Sequence, residues 1–257
     1  MEMIQKIDNY QILEQLGFEE ETTIFKAQKA NEIFTIYISP YRGENRYAAF
    51  EENAKKIIKI NHCNIRKIFK VGKEKNYFYY VKNYLKEYNT LLDMIYNETR
   101  KFEQFEVINI ICQVALALEY AAQFGIVHGL LHPYKVEFSN EKPFICFANS
   151  YEFPFKVVGR PVFASPECVI GKSKEVTSDI FSLGSIAYFM TTGVFPFEEK
   201  TSVLLIQAIL KKKPLPIAKY NTKISVKMCK IIKKMMAKKV KKRYQHYSQI
   251  VQDLQSI

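Results

Sequence analysis

Apolar and polar positions change their spacing near residue 85, and that change divides the chain. Before it, residues 10–16, 22–28 and 33–39 are short runs rich in β-branched and aromatic side chains, separated by polar turns. Such runs predict a small antiparallel sheet. Residues 48–60 read as a helix, and two further strand-like runs follow at 66–71 and 77–81. Beyond residue 85 the period lengthens. Residues 105–124 place Ile108, Ile111, Ala115, Leu118 and Ala122 at three- and four-residue spacing, as a core-facing helix requires. A second such helix is expected over 178–192, stopped by Gly193 and Pro196, and 201–210, 225–239 and 247–257 complete a helical half. The fold class predicted is α+β, a small antiparallel sheet with one helix followed by a larger, mainly helical part. No internal repeat, flexible linker or low-complexity tract interrupts it.

Composition adds little to this picture, whereas the placement of charge adds more. The chain has 257 residues, 48% of them hydrophobic, enough to bury a full core. No apolar run of signal-peptide or membrane-spanning length is visible, so a cytoplasmic or nuclear protein is expected. Five scattered cysteines without Cys-x-x-Cys spacing suggest neither a disulfide framework nor a zinc site. Between Lys200 and Gln252 there are 14 lysines, one arginine and no acidic residue. That segment carries +15 against +12 for the whole chain, leaving −3 elsewhere. Lys227, Lys230, Lys233, Lys234, Lys238, Lys239, Lys241 and Lys242 could face an acidic protein, nucleic acid or an anionic surface. The plainer reading is a set of solvated lysines on C-terminal helices.

The sequence around the boundary of the first long helix is more specific. Ile126-Val127-His128-Gly129-Leu130-Leu131-His132-Pro133-Tyr134-Lys135-Val136 resembles the catalytic loop of protein kinases, His-Arg-Asp-Leu-Lys-Pro-Glu-Asn. Gly159-Arg160-Pro161-Val162-Phe163-Ala164-Ser165-Pro166-Glu167 is similar to the close of a Ser/Thr-kinase activation segment. Ser178-Asp179-Ile180-Phe181-Ser182-Leu183-Gly184 and Thr192-Gly193-Val194-Phe195-Pro196-Phe197 resemble two further motifs of that family. The resemblance runs from about Tyr10 to Leu254. It implies one bilobal domain over 1–257, with an N-lobe of about 8–84 and a C-lobe of about 85–257. It also implies structural roles for His128, packed beneath the loop, for Asp179, bonded to the loop backbone, and for a buried Glu167–Arg243 ion pair.

The family's reaction needs a glycine loop, a lysine on the phosphates with its glutamate, metal-holding Asp and Asn, and an Asp as base. The glycine loop keeps only Gly17, with Glu19 and Thr22 at the other glycine positions and Ile24 at the following valine. Glu19, Glu20 and Glu21 would set like charge beside phosphates. The lysine position falls on Tyr37 within Phe34-Thr35-Ile36-Tyr37, and no lysine occurs from Ala30 to Ala54. Its glutamate becomes Asn53. Lys82 stands near the gatekeeper position, where a snorkelling amine is expected ahead of a rescue role. Thr35, Lys82, Tyr84 and Glu137 complete the residues of a vestigial nucleotide cleft.

The catalytic-loop arginine becomes Gly129, the base becomes Leu130, the lysine becomes His132 and the metal-holding asparagine becomes Lys135. No aspartate occurs between Asp93 and Asp179, so the metal-binding aspartate is also absent. That motif falls on Cys146-Phe147-Ala148, or two residues on at Ala148-Asn149-Ser150. Glu137 and Glu152 are the nearby carboxylates, read as a strand-edge and a loop charge. From Tyr151 to Ala164 the segment is apolar and has no Ser or Thr, with Tyr151 its one hydroxyl. His128 and His132 are four apart but lack a third ligand, so no metal site is expected. These residues predict a catalytically inactive, kinase-like interaction or scaffolding module without cofactor. The alternatives are an atypical active Ser/Thr kinase using ATP and Mg²⁺, and an anion-binding module built on the basic helices.

Overall fold

The alternating segments pair as antiparallel strands. The structure, a computed structural model, describes residues 5–19, 22–41, 51–52, 54–74, 76–96, 100, 102–147 and 161–257. Asn53, Glu20, Glu21 and residues 148–160, with Tyr151 and Glu152, lie outside the described residues. The chain divides into two compact units, Met1–Tyr88 and Asn89–Ile257.

The N-terminal unit is a six-stranded sheet in the order β1-β2-β3-β4-β6-β5. Its strands are β1 (Lys6–Ile7), β2 (Tyr10–Glu19), β3 (Thr22–Lys29), β4 (Glu32–Pro40), β5 (Ile68–Lys73) and β6 (Tyr77–Asn83), with helix α1 at 51–52 and 54–58. The sequence pattern predicts five strands. The sixth, β1, is two residues long and too short to leave a periodic signal. Alternation gives the sheet two faces. One face carries a packed cluster of Ile7, Tyr10, Ala27, Phe34, Ile36, Ile38, Tyr79 and Val81. The other takes the residues between them, described below.

The C-terminal unit opens with a second sheet, β7 (Asn89–Thr90), β8 (Val136–Ser139) and β9 (Lys142–Ile145), in that order. The helices are α2 (Leu91–Tyr96), α3 (Gln104–Ala122), α4 (Pro166–Val169), α5 (Val176–Thr192), α6 (Ser202–Lys211), α7 (Val226–Met235) and α8 (Tyr247–Gln255). A strand is expected at Glu137, but β7, β9, α2 and α4 carry no signal in the sequence, because runs of two to six residues hold too few positions for a period. Among the described residues α3 alone is long and apolar enough to cross a bilayer by length and composition. In this fold its apolar face, Val107, Ile110, Ile111, Val114, Ala115, Leu118 and Ala121, is buried instead.

Helix α5 departs from the one-sided helix that its spacing predicts, since Thr177 through Thr191 are all buried. A helix buried all round must satisfy its own hydroxyls. Those of Ser182, Ser185 and Thr191 donate back to the carbonyls of Ser178, Phe181 and Ala187 at 3.2, 3.1 and 2.9 Å. Gly184 lets α7 approach, because a Cβ there would lie 2.6 Å from Met235 Cβ. Gly193 ends the helix in the left-handed region, at φ 73°. Helix α7 is shorter than the expected 225–239, ending at Met235, and it buries Met228, Ile231, Ile232 and Met235.

An ion pair anchors the segment before α8 to α4, and further bonds reach the first turn of α5. The Arg243 guanidinium donates Nη1 to Glu167 Oε1 at 2.6 Å and Nη2 to Glu167 Oε2 at 2.8 Å. It also donates to the carbonyls of Ala237, Thr177 and Lys238, and lies 5.0 Å from the Phe181 ring. Burial alone would raise the Glu167 pKa, but the Arg243 bonds and charge, with the Ser178 hydroxyl, hold it below the usual carboxylate value. The basic segment is less exposed than the sequence suggests. Lys238 is half-buried: the ammonium donates to Ile209 O, sits 3.9 Å over the Phe197 ring, and is pushed by burial and the Arg243 charge to a pKa of about 8. Arg243→Met is expected to destabilise the C-terminal unit by about 3–5 kcal/mol, because Glu167 keeps its charge and loses its partner. Denaturant midpoints at neutral pH measure this, and a change below ~1 kcal/mol would contradict the anchoring role.

Candidate functional site

The residues at the family's chemical positions fall into two sets, one in each unit. In the N-terminal unit, cross-strand register places Ile24 opposite Tyr37, Tyr37 opposite Tyr80 and Thr35 opposite Lys82. These residues therefore share the second face of the sheet with Thr22, whose hydroxyl bonds that of Ser39 at 2.7 Å. Gly17 pairs with Ile24, and pairing continues to Glu19 opposite Thr22. Pairing thus runs as far as the described residues Glu19 and Thr22, with a buried Thr22 side chain where the family pattern has glycine.

Tyr37 occupies the lysine position and is 2% exposed. Its ring stacks on that of Tyr80, centroids 4.7 Å apart and planes 9° from parallel. The expected snorkelling of Lys82 does not occur. Its side chain is 1% exposed, with Nζ 3.9 Å from the Tyr37 centroid and 5.2 Å from that of Tyr80. A cation over two aromatic faces is held by their negative potential, and burial strengthens the attraction. A lysine on β6 thus delivers its ammonium over the aromatic ring that replaces a lysine on β4. Tyr84, which follows β6, takes the Lys26 ammonium 5.3 Å over its ring, and Lys26 also donates to Glu14 at 2.8 Å.

In the C-terminal unit the loop from Ile126 to Val136 is held by its backbone. Asp179, on α5, accepts the amides of His128 and Gly129, both at 2.7 Å, and the Tyr247 hydroxyl of α8 at 3.3 Å. Burial pushes this carboxyl up to a pKa of about 7, against the three donors, which favour the charged form. His128 is buried, with its Nδ1 accepting from the Leu130 amide at 3.3 Å and its Nε2 donating to Cys146 O at 3.2 Å. One acceptor and one donor define a neutral imidazole. Burial and the Lys135 charge lower its pKa to about 3. His132 is lowered to about 3 by the same causes, in the same order. Its Nδ1 caps the short 3-10 turn Pro133–Lys135 by accepting from Tyr134 N at 3.3 Å, and its ring packs on Tyr134 and Phe163.

Leu130 offers no proton acceptor at the base position. Lys135 is buried at the metal-holding position, with Nζ 4.6 Å from the Tyr134 centroid. Cys146 is buried and its amide donates to Lys135 O at 2.9 Å, while Phe147 packs 5.0 Å from the His128 ring. Glu137 is not at a strand edge: it lies on β8, the middle strand of three, and is 6% exposed. Among the described residues no group of three or more His, Cys, Asp or Glu side chains could hold a metal ion. Apolar, thiol and cationic groups do not fit magnesium, which takes hard oxygen ligands.

Three contributors were not found from the sequence. Tyr80 gave no signal beyond its place in a strand, and Tyr247 stood outside every recognised motif. Lys174 is the third. Gly129 has φ 72°, and a Cβ there would lie 2.4 Å from Lys174 Cδ, so the lysine stem fills the space beside the missing side chain. The absent side chain at Gly129 was the signal, since an emptied position invites a neighbour to fill it.

The tyrosine–lysine stack predicts a measurable coupling. In a double-mutant cycle of Tyr37→Leu and Lys82→Met, an interaction of about 0.5–2 kcal/mol is expected, and additive effects would deny the contact. The loop predicts a pH dependence. Between pH 6.5 and about 4 the unfolded chain carries two more protons at His128 and His132, and one fewer at Asp179. Stability therefore falls as pH drops, by roughly 1.4 kcal/mol per pH unit for the net proton. Replacing His132 with Phe should flatten denaturant midpoints across that window. An unchanged slope would exclude a neutral buried His132.

Comparisons with known proteins agree with this architecture. The family model described as the protein kinase domain matches residues 10–254. The chain is similar to a probable serine/threonine-protein kinase of Clostridium perfringens, 28% identical over 277 residues, covering 99% of this chain and 39% of the relative. A probable serine/threonine-protein kinase of Clostridium acetobutylicum is 26% identical over 264 residues, covering 97% and 40%. The serine/threonine-protein kinase PknB of Mycobacterium leprae is 24% identical over 266 residues, covering 96% and 42%. The chain thus spans about two fifths of the length of these relatives. Among solved structures, the PknI kinase domain of Mycobacterium tuberculosis superposes with a TM-score of 0.80 at 14% identity, covering 100% of this chain and 99% of that one. With the model match extending from the first long strand into the last helix, this chain belongs to the protein kinase domain family.

Proposed function

We propose that this kinase domain does not transfer phosphate and acts as a pseudokinase, a protein-interaction or scaffolding module inside the cell. The observation that carries the reading is the aspartate-free interval from residue 94 to 178, which contains the family's base and metal-ligand positions. Leu130, Lys135 and Cys146 stand there instead. Phosphoryl transfer depends on positioned carboxylates and metal more than on covalent chemistry by the protein, so their loss removes the main sources of rate. The buried Thr22 at a glycine position and the Tyr37 ring support the same reading from the N-terminal unit. Asp179 and the Glu167–Arg243 pair account for a loop and helical core that keep their form without that chemistry.

A second reading is an atypical Ser/Thr kinase that uses ATP and Mg²⁺. Two observations favour it: the relatives bear serine/threonine-kinase names over nearly all of this chain, and Lys82 sets a buried cation over Tyr37, the residue at the family's lysine position. The two readings differ in one experiment. Thermal unfolding with ATP, with and without Mg²⁺ or Mn²⁺, is paired with labelled-phosphate transfer to a generic protein substrate. The pseudokinase reading expects no metal-dependent rise in melting temperature and no transfer. Stabilisation that requires the metal, together with transfer lost on Lys82→Met, would establish the second reading.

A further inference from the structure

The lysines of α7 are not spread evenly over its surface, and an apolar pair stands beside them. The helix buries Met228, Ile231, Ile232 and Met235, so Val226, Lys230 and Lys233, at four- and three-residue spacing, form an outward stripe with Lys227 and Lys234 flanking it. At the head of the stripe Val226 is 71% exposed. The Ser225 amide donates to Gln104 Oε1 at 2.6 Å, which brings the first turn of α3 beside the first turn of α7. Phe105, the next residue of α3, is 72% exposed. Two large apolar side chains, each next to one end of that bond, thus begin a run of cations.

Only part of that charge is neutralised at home. Lys227 donates to Ser256 O at 2.6 Å, and Lys234 lies 3.8 Å over the Tyr244 ring and 3.9 Å from Asp253. Among the described residues no carboxylate lies within ion-pair distance of Lys230 or Lys233, and none occurs in the sequence between Lys200 and Gln252. We propose that this face docks an acidic polypeptide segment, with an apolar side chain seated against Phe105 and Val226 and its carboxylates along Lys230 and Lys233. The chemistry favours a polypeptide over the other anions. Single-stranded nucleic acid is bound by stacking on exposed aromatic rings along a basic groove, and the one exposed ring here sits at the end of the stripe. A membrane-lying helix would need its apolar face outward, whereas that of α7 is turned into the core. Apolar anchor and charge together give one site with polarity, in which the anchor supplies affinity and the lysines supply steering and register. The inference is independent of whether the domain transfers phosphate.

The test uses the full chain and three labelled probes: a synthetic glutamate-rich peptide ending in Leu-Phe, a single-stranded oligonucleotide, and phosphatidylserine-containing vesicles. Saturable peptide binding is expected to weaken as salt rises. The variant Lys230→Glu/Lys233→Glu should reduce peptide affinity roughly tenfold or more, and Phe105→Ser/Val226→Ser should reduce it without changing the salt dependence. All four side chains are exposed, so thermal unfolding of the variants should match the parent and separate loss of binding from loss of fold. Absence of peptide binding at low salt would overturn the proposal, as would binding indifferent to both variants. Tighter binding of the oligonucleotide or the vesicles, lost in the charge-reversed variant, would reassign the face to nucleic acid or lipid and equally overturn it.

Discussion

The Asp179 carboxyl organises the C-terminal unit, because three donors from two separate segments converge on it in a buried place. It takes two successive loop amides, those of His128 and Gly129, and a hydroxyl from Tyr247 on the last helix. Each of these donors would be costly to bury unpaired. The loop, α5 and α8 therefore depend on one side chain for their polar closure. The imidazole of His128 continues the same chain of bonds to Cys146, which ties the loop to the residue following β9. Remote anchoring of this kind needs no particular side chain at Leu130 or Lys135, so chemistry and loop shape are held by different atoms.

Buried cations show a second constraint. Lys82 and Arg243 place charge in the interior and Lys238 half-buries its own, and in each case aromatic rings stand close to it. Arg243 adds a bidentate carboxylate and three carbonyls, and Lys238 adds one carbonyl. The rings provide an electrostatic face that costs no desolvation of its own, unlike a carboxylate. A chain rich in lysine and aromatic residues but poor in aspartate reaches for this solution repeatedly.

The fold was legible from particular devices. Strands β2 to β6 follow from alternation, α3 from its three- and four-residue period, and the end of α5 from Gly193. The Glu167–Arg243 pair could be named in advance because the motif holding Glu167 and the position of Arg243 both resemble the family pattern. Short elements such as β1, β7 and α4 could not be read, since they are set by tertiary pairing. Side-chain trajectories were the other gap. A lysine on a strand gives no sign in sequence of whether its stem runs to solvent or across a neighbouring ring, and for Lys82 that depends on Tyr37 and Tyr80 standing opposite each other on adjacent strands, 43 residues apart in the chain. Lys238 was misjudged for the same reason, its neighbours Phe181 and Phe197 lying far off in the chain.

Gly129 and Lys174 carry a consequence for what this loop can accept. With φ at 72° and a lysine stem occupying the space a Cβ would need, the position rejects a side chain twice over, once through the backbone and once through its neighbour. Returning an arginine there by a single substitution would meet both obstacles before it could offer any benefit. The Lys174 stem would have to move as well. The two positions are therefore coupled: what residue 129 can carry is set by a lysine 45 positions further along the chain.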